Sequence, residues 1–545
     1  MIRLGPSVTR CLLNRQLYRS IPRRAFSSSA RVYAESETPT GDGKPTKKEP
    51  KDKINYNPNP FEENVSPEYG NLRLVTANDL EKEHNPPKGV KMLVRDFIED
   101  SLYNPNYGYF PKQATIFNAK ETTFDFASIR DSAEFQEQIA VKYEAYGSDQ
   151  HDGPGRQLWH TPTELFKPFY GRAIARCLVS EYLLKYFPYE DFVIYEIGAG
   201  NGTLAMDILN LLRDEHPDVY ERTRYNIIEI SESLVKVQKK RLAEAHPCVT
   251  FNHKSVFHWE KTEPSPCFFI AMEVIDNFAH DIVRYDINTL KPYQGLVTID
   301  KKGEFDIIYT PVTDPLISSF LHMRRELSHP PAINKALLAS ESLRSFYTKM
   351  PFAPNLSKTE FVPTRLLNLL RTLRTHFPRH RLVLSDFSSL PDTIPGVNAP
   401  VVQTRFRNIT VPCTTLLVKQ GFFDIFFPTD FERLRDMYEY ALDQPPPDPI
   451  TVGAEKPGPP RMTPLMSTAS SFSLGSQFFS SYQPTNRRRP VDGITSASGL
   501  PIGERRSSVF SHSHFLETYG ELEKTRLKNG ENPMVDFYKN VKFLF

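Results

Sequence analysis

The chain has 545 residues, of which 39% are hydrophobic, 12% aromatic and 24% charged, with a formal net charge of +2. This composition excludes a wholly disordered or collagen-like chain, while 46 prolines against 25 glycines mark part of the length as linker. The apolar run Cys267–Ile275, broken by Glu273, falls well short of the roughly 20 residues a membrane-spanning helix needs, so no span is expected.

The charge is unevenly placed. Residues 1–33 hold seven arginines, no lysine and no acid, so the rest of the chain carries −5. Leu12, Leu13, Leu17, Tyr18 and Ile21 can share one side of a helix, with arginines on the other. An acid-free, Ser-containing, amphipathic Arg-rich start predicts a mitochondrial transit peptide. The stretch Arg24-Ala-Phe26-Ser-Ser-Ser29 is similar to a two-step matrix processing signal that would leave Ala34 near the mature N-terminus. The slightly acidic remainder argues against nucleic-acid binding, which wants a basic face. Five cysteines (11, 177, 248, 267 and 413) show no C-x-x-C spacing, which speaks against a disulfide framework or structural zinc.

Residues 34–68 are charged, Pro-rich and nearly free of aliphatic side chains, the pattern of a disordered linker. Residues 444–508, with PPPDP, KPGPP and Ser-rich tracts, read as a second disordered segment. Folded material is expected over 69–443, with a helical cap at its N-terminal end, and over a helix-like segment 509–545 that completes the domain.

Within that body strands and helices alternate. Phe192–Glu196 is a strand ending at a glycine cluster, and Leu204, Ile208, Leu211 and Leu212 follow at helical spacing. Tyr225–Ile230 is a second strand, and Ser231 is placed to N-cap a helix over 232–245. Val249–Phe251, Cys267–Ala271 and Arg381–Asp386 supply three more strands. An inserted α+β segment, at about 282–380, separates the last two. The pattern predicts an α/β fold with a doubly wound parallel sheet. Residues 410–427 are expected to supply a closing antiparallel hairpin.

The sharpest motif is Glu196-Ile-Gly198-Ala-Gly200-Asn-Gly202-Thr203 at a strand-to-helix turn. Glycines there let a ligand approach backbone, and the helix N-terminus offers free N–H groups. A dinucleotide fingerprint would want glycine where Thr203 stands. The spacing G-x-G-x-G, with an acid two residues before, instead resembles the S-adenosyl-L-methionine loop of class I methyltransferases. In that resemblance Glu229, ending the second strand, takes the place of the acid that accepts the ribose hydroxyls. At the end of the fourth strand, Glu273 and Asp276 fall at the carboxyl edge where a doubly wound sheet binds its ligands, beside the place of a methyl acceptor. A helix-cap pair is the alternative reading of those two acids.

Six ordered segments extend the likeness to one family, the MidA-like S-adenosylmethionine-dependent methyltransferases. Phe97–Phe110 resembles its "L-Y-x-P-x-Y-G-Y-Y" segment, and His160–Phe166 its "T-S-P-E-I" element. Glu196–Leu209 is similar to "E-L-G-P-G-x-G-T-L-x-x-D-I-L", and Ile228–Gln238 to "V-E-x-S-x-x-L-x-x-x-Q". Glu273–Asp276 stands for "N-E-F-x-D", and Gly421–Phe431 for "G-x-x-D-I-T-x-H-V-D-F". Met272, Ala279, Phe427, Pro428 and Ser385-Asp386-Phe387 depart from the family pattern. The resemblance implies S-adenosyl-L-methionine as cofactor, held by Glu196, Gly198, Gly200, Gly202, Thr203 and Glu229, with Glu273 and Asp276 as catalytic residues. It further implies symmetric methylation of a protein arginine on a matrix-side complex I subunit, in support of complex I assembly. A non-catalytic mitochondrial assembly factor that keeps the fold is the alternative.

Overall fold

The computed structural model describes residues 71–116, 124–147, 157–159, 161–406, 409–443 and 507–545. The expected transit peptide, the 34–68 linker, His160 and all but the last two residues of the 444–508 segment lie outside the described residues. In chain order the elements that build the site are α1 (Val94–Tyr103), α2 (Phe169–Lys185), β1 (Phe192–Ile197), α3 (Thr203–Glu215), β2 (Thr223–Glu229) and α4 (Glu232–Leu242). They continue as β3 (Val249–His253), β4 (Cys267–Met272), α5 (Thr364–His376), β5 (His380–Phe387), α6 (Phe431–Asp443), β6 (Val509–Ser511) and β7 (Val541–Leu544).

The strands form one seven-stranded sheet in the order β3-β2-β1-β4-β5-β7-β6. All neighbours from β3 to β5 are parallel, whereas β7 runs antiparallel to both β5 and β6. Every residue of β1 is buried because helices cover both faces of this central strand. Phe192 and Ile194 pack towards α2 and α3, while Val193, Tyr195 and Ile197 face α5 and α6. This period-two split of one apolar strand between two cores makes the sheet the middle of three layers.

The closing strands differ from expectation. Residues 401–406, 409–413 and 424–426 pair with one another in a separate three-stranded sheet, so 410–427 does not close the main sheet. The place beside β5 is taken by β7, from the tail read as helical, with Leu384 in register with Leu544. Phe543, Leu544 and Phe545 are fully buried there. A short apolar run has no period of its own, and only the sheet edge it covers distinguishes strand from helix.

The insertion supplies strands 281–285, 292–299, 305–311 and 360–362 to a second, mostly antiparallel sheet, which the N-terminal strand 90–93 joins. Helix α1 lies on it through Phe97, Ile98 and Leu102, in a core shared with Ile282, Val297 and Phe427. Two ion-pair sets fix α1 to the rest. Arg95 bonds Asp281 at 2.8 Å and Asp314 at 2.7 Å, and Arg365 of α5 grips both oxygens of Glu99. Helix α1 is thereby held over the carboxyl ends of the main-sheet strands.

Candidate active site

Strand β1 delivers Glu196 and Ile197 to the loop 198–202, and α3 begins at Thr203. Gly198 and Gly202 have φ of +67° and +74°, a region that costs an L side chain about 1–2 kcal/mol. Space is short as well. A Cβ on Gly198 would lie 3.0 Å from Val274 Cγ2, and one on Gly202 would lie 2.9 Å from Leu242 Cδ1. Gly198 and Gly200 line the cavity described below, whereas Gly202 does not; it is the N-cap of α3 and lets the loop pack on α4.

Glu229 is tied to that loop. Its Oε1 accepts the Ser231 N–H at 3.0 Å, and its Oε2 accepts Gln238 Nε2 at 3.2 Å. The same Gln238 nitrogen donates to the Gly200 carbonyl at 2.8 Å. Burial raises the Glu229 pKa, and the bonds from Ser231 and Gln238 oppose the shift. Glu196, also buried, accepts the Tyr225 hydroxyl at 2.6 Å. Burial pushes its pKa up to about 7, against the Tyr225 bond and with the help of the Glu229 charge.

At the end of β4 the chain turns sharply. Glu273 adopts φ +53°, rare for a residue with a side chain and characteristic of sites where tertiary structure imposes the conformation. Its N–H donates to the Ser385 carbonyl of β5 at 2.8 Å. Asp276 follows in the turn Ile275–Asn277, 1% exposed, with its N–H on Asp386 Oδ2 at 3.1 Å. Phe427, one of the departures from the family pattern, is a core residue. Its ring stacks on His280 with centroids 3.8 Å apart, and its N–H donates to the Asp276 carbonyl at 2.7 Å.

These elements converge on one cavity of about 590 Å³. Glu196, Gly198, Gly200, Thr203, Glu229, Glu273 and Asp276 all line it, so seven of the eight residues singled out from sequence share one space. Among the described residues, eight carboxylates line the cavity (Glu81, Glu99, Asp100, Glu164, Glu196, Glu229, Glu273 and Asp276) against one guanidinium, Arg365, already paired with Glu99. Tyr103 of α1 roofs it, its hydroxyl donating to the Asn277 carbonyl at 3.1 Å. Burial raises the Tyr103 pKa, and the charges of Asp276 and Glu99 add to the shift. Sequence reasoning did not assign a cofactor role to Glu164, or any site role to Ser255–Phe257. Ser255 and Val256 follow β3, where the rule that ligands sit at strand carboxyl ends points to them.

No group of His, Cys, Asp and Glu among the described residues is arranged to hold a metal ion, and no helix of theirs is long and apolar enough to cross a membrane. Cys177 and Cys267 are buried free thiols whose pKa burial raises, which suits filler rather than nucleophiles.

A mostly parallel sheet of this strand order, closed by an antiparallel β7, with a glycine loop after β1 and an acid ending β2, defines a class I methyltransferase fold. Residues 173–447, half of the chain, match the family of S-adenosyl-L-methionine-dependent methyltransferases, and the chain belongs to that family. A relative named protein arginine methyltransferase NDUFAF7 homolog, mitochondrial, from Schizosaccharomyces pombe is 25% identical, over 57% of this chain and 67% of its own length. The protein of the same name from Saccharomyces cerevisiae is 22% identical, over 50% of this chain and 65% of its own. The chain thus spans about two thirds of each relative. A Burkholderia thailandensis protein solved with S-adenosyl-homocysteine matches with 15% identity and a TM-score of 0.40, over 67% of this chain and 74% of that one.

The protein is an S-adenosyl-L-methionine-dependent methyltransferase, and the residues present fit that cofactor. Gly198 and Gly200 present backbone without side chains to the cavity, Glu229 offers buried acceptor oxygens, and an acidic lining suits a sulfonium and an ammonium group.

Proposed function

We propose that the protein methylates an arginine of a protein substrate, with symmetric dimethylation of a matrix-side complex I subunit as the specific outcome and support of complex I assembly as its role. The observation that carries this reading is the position of Glu273 and Asp276, two acids at the end of β4 inside a cavity whose charged lining among the described residues is eight carboxylates against one guanidinium. A guanidinium is planar, rich in donors and cationic at any cellular pH, so a pair of carboxylates is its natural grip. Two such contacts fix the plane of the group and draw its charge towards the gripped nitrogens, which leaves the remaining nitrogen more nucleophilic.

Bound S-adenosylmethionine supplies an electrophilic methyl group on a sulfonium. Glu229 and the loop 198–203 would hold it, Gly198 by leaving space and Glu229 by accepting hydroxyl hydrogen bonds. Glu273 and Asp276 would orient the acceptor beneath α1 and Tyr103. Alignment of this kind is worth roughly 7–11 kcal/mol of barrier. The Arg-rich, acid-free start of the chain supports import into mitochondria with cleavage near Ala34.

The deciding experiment is mass spectrometry of mitochondrial proteins from cells with and without this chain, searching for a methyl-arginine that disappears and returns on complementation. Complementation by a folded Glu273→Gln variant that restores complex I but no methyl-arginine would instead favour the non-catalytic assembly factor.

A further inference from the structure

We propose that Asp386 is a positioning residue of the acceptor side: from β5, beneath the cavity, it holds the turn that aims Glu273 and Asp276 at the substrate. The inference rests on the arginine-methyltransferase reading above. Asp386 is fully buried and does not itself line the cavity. Each of its carboxyl oxygens accepts one main-chain N–H, Oδ1 from Phe387 at 2.7 Å and Oδ2 from Asp276 at 3.1 Å. One residue earlier, the Ser385 carbonyl accepts the N–H of Glu273 at 2.8 Å, and Ser385 lies in register with Met272. Both acids of the acceptor side therefore hang from two consecutive residues of β5. From the other side the Phe427 N–H holds the Asp276 carbonyl at 2.7 Å, so the turn is clamped at both its N–H and its C=O.

Only a carboxyl group satisfies this arrangement. It offers two acceptors to two N–H donors, whereas an asparagine would turn its NH₂ towards one of them. The clamp also explains how Glu273 is kept at φ +53°, a conformation that surrounding contacts must impose. The groups facing Asp386 are Glu273 and Asp276 from the end of β4 and Tyr170 from α2. Beyond them Tyr103 of α1 faces Asp276, and Asp424 reaches the turn through Asn277. Burial, then the charges of Asp276 and Glu273, hold the Asp386 carboxyl well above the usual range, against the two N–H bonds.

The test uses Asp386→Ala and Asp386→Asn in the full chain. Amide hydrogen exchange is read over 272–278, S-adenosylmethionine affinity by calorimetry, and transfer of labelled methyl to arginine in matrix proteins from cells lacking this chain. The expected result is exchange at least about tenfold faster at the turn, cofactor affinity within about threefold, and an acceptor KM that rises by about tenfold or more in both variants. Unchanged exchange in both variants overturns the proposal. So does a cofactor affinity that falls in parallel with transfer, which would mark a general fold role. If Asp386→Ala does not fold, Asp386→Asn supplies the reading. If the unmodified protein labels no arginine, the arginine reading fails, and the exchange at 272–278 alone judges Asp386.

Discussion

The carboxylate of Glu164 accepts the Thr203 hydroxyl at 2.5 Å, joining residues 39 positions apart at the first turn of α3. The same oxygen accepts Asn201 Nδ2 at 3.2 Å, Arg241 donates to Thr203 Oγ1 at 2.7 Å, and Lys167 pairs with Glu164 at 3.3 Å. The glycine loop is thus buttressed from outside by a segment that precedes α2. Removing a hydrogen-bond partner of a charged group costs about 1.5–3 kcal/mol. Glu164→Ala is therefore expected to weaken S-adenosylmethionine binding about tenfold or more. Calorimetry on the folded variant checks it, and an unaltered affinity would mean that the loop holds its own shape.

Glu229→Ala removes the acceptor expected to meet the ribose hydroxyls and also frees Gln238 Nε2 from one of its two bonds. Cofactor affinity should fall by roughly tenfold, because a lost bond to a charged acceptor costs about 1.5–3 kcal/mol. If titration shows wild-type affinity in a folded Glu229→Ala protein, the assignment of this acid is wrong.

Gly198→Ala combines a φ of +67° with a Cβ placed 3.0 Å from Val274 Cγ2. The expected outcome is a loss of about 1–2 kcal/mol of stability together with impaired cofactor binding. Thermal unfolding with and without S-adenosylmethionine separates the two effects. A variant stabilised by the cofactor as strongly as the native protein would contradict the loop's assigned role.

Glu196 has a pKa of about 7 in the folded protein, against 4.5 when unperturbed, so folding favours its protonated form. The stability this contributes is fully present below about pH 4.5 and is lost as pH rises through 7. Its share, on the order of 3 kcal/mol, should vanish in Glu196→Gln, which would make the fall in stability with pH shallower in the cofactor-free protein. Asp207, raised to about 7 by burial, keeps a slope of the same sign in the variant. Denaturant midpoints across pH 4.5–7.5 that run parallel in the two proteins would refute the assignment.

Glu273→Gln is nearly isosteric but carries no charge and presents an NH₂ towards a substrate donor. Methyl transfer should be abolished while fold and S-adenosylmethionine affinity persist. A cap role alone would cost about 0.5–2 kcal/mol of stability and leave transfer intact. Single-turnover transfer to the methylated arginine, once identified, distinguishes them. Full transfer by the variant would remove Glu273 from the mechanism.

The strand–loop–helix with its glycine turn was legible because its requirements are local. A buried strand, three glycines forced to positive φ, and a helix start at Thr203 lie within a dozen residues, and the backbone geometry itself demands those residue types. The acid ending β2 was found in the same way, since a strand's carboxyl edge is one position on an alternating pattern. What faces that loop from elsewhere in the chain was decided only by tertiary structure. Glu164 and Asp386 fall in segments that resemble family elements, but nothing local in them shows what each acid touches; their contacts arise because the chain before α2 folds over α3 and because β5 lies beside β4. The sheet's closing strands were hidden for a related reason. Val541–Leu544 is too short to show a period, and it becomes a strand because β5 presents unpaired backbone groups that only an extended partner can satisfy.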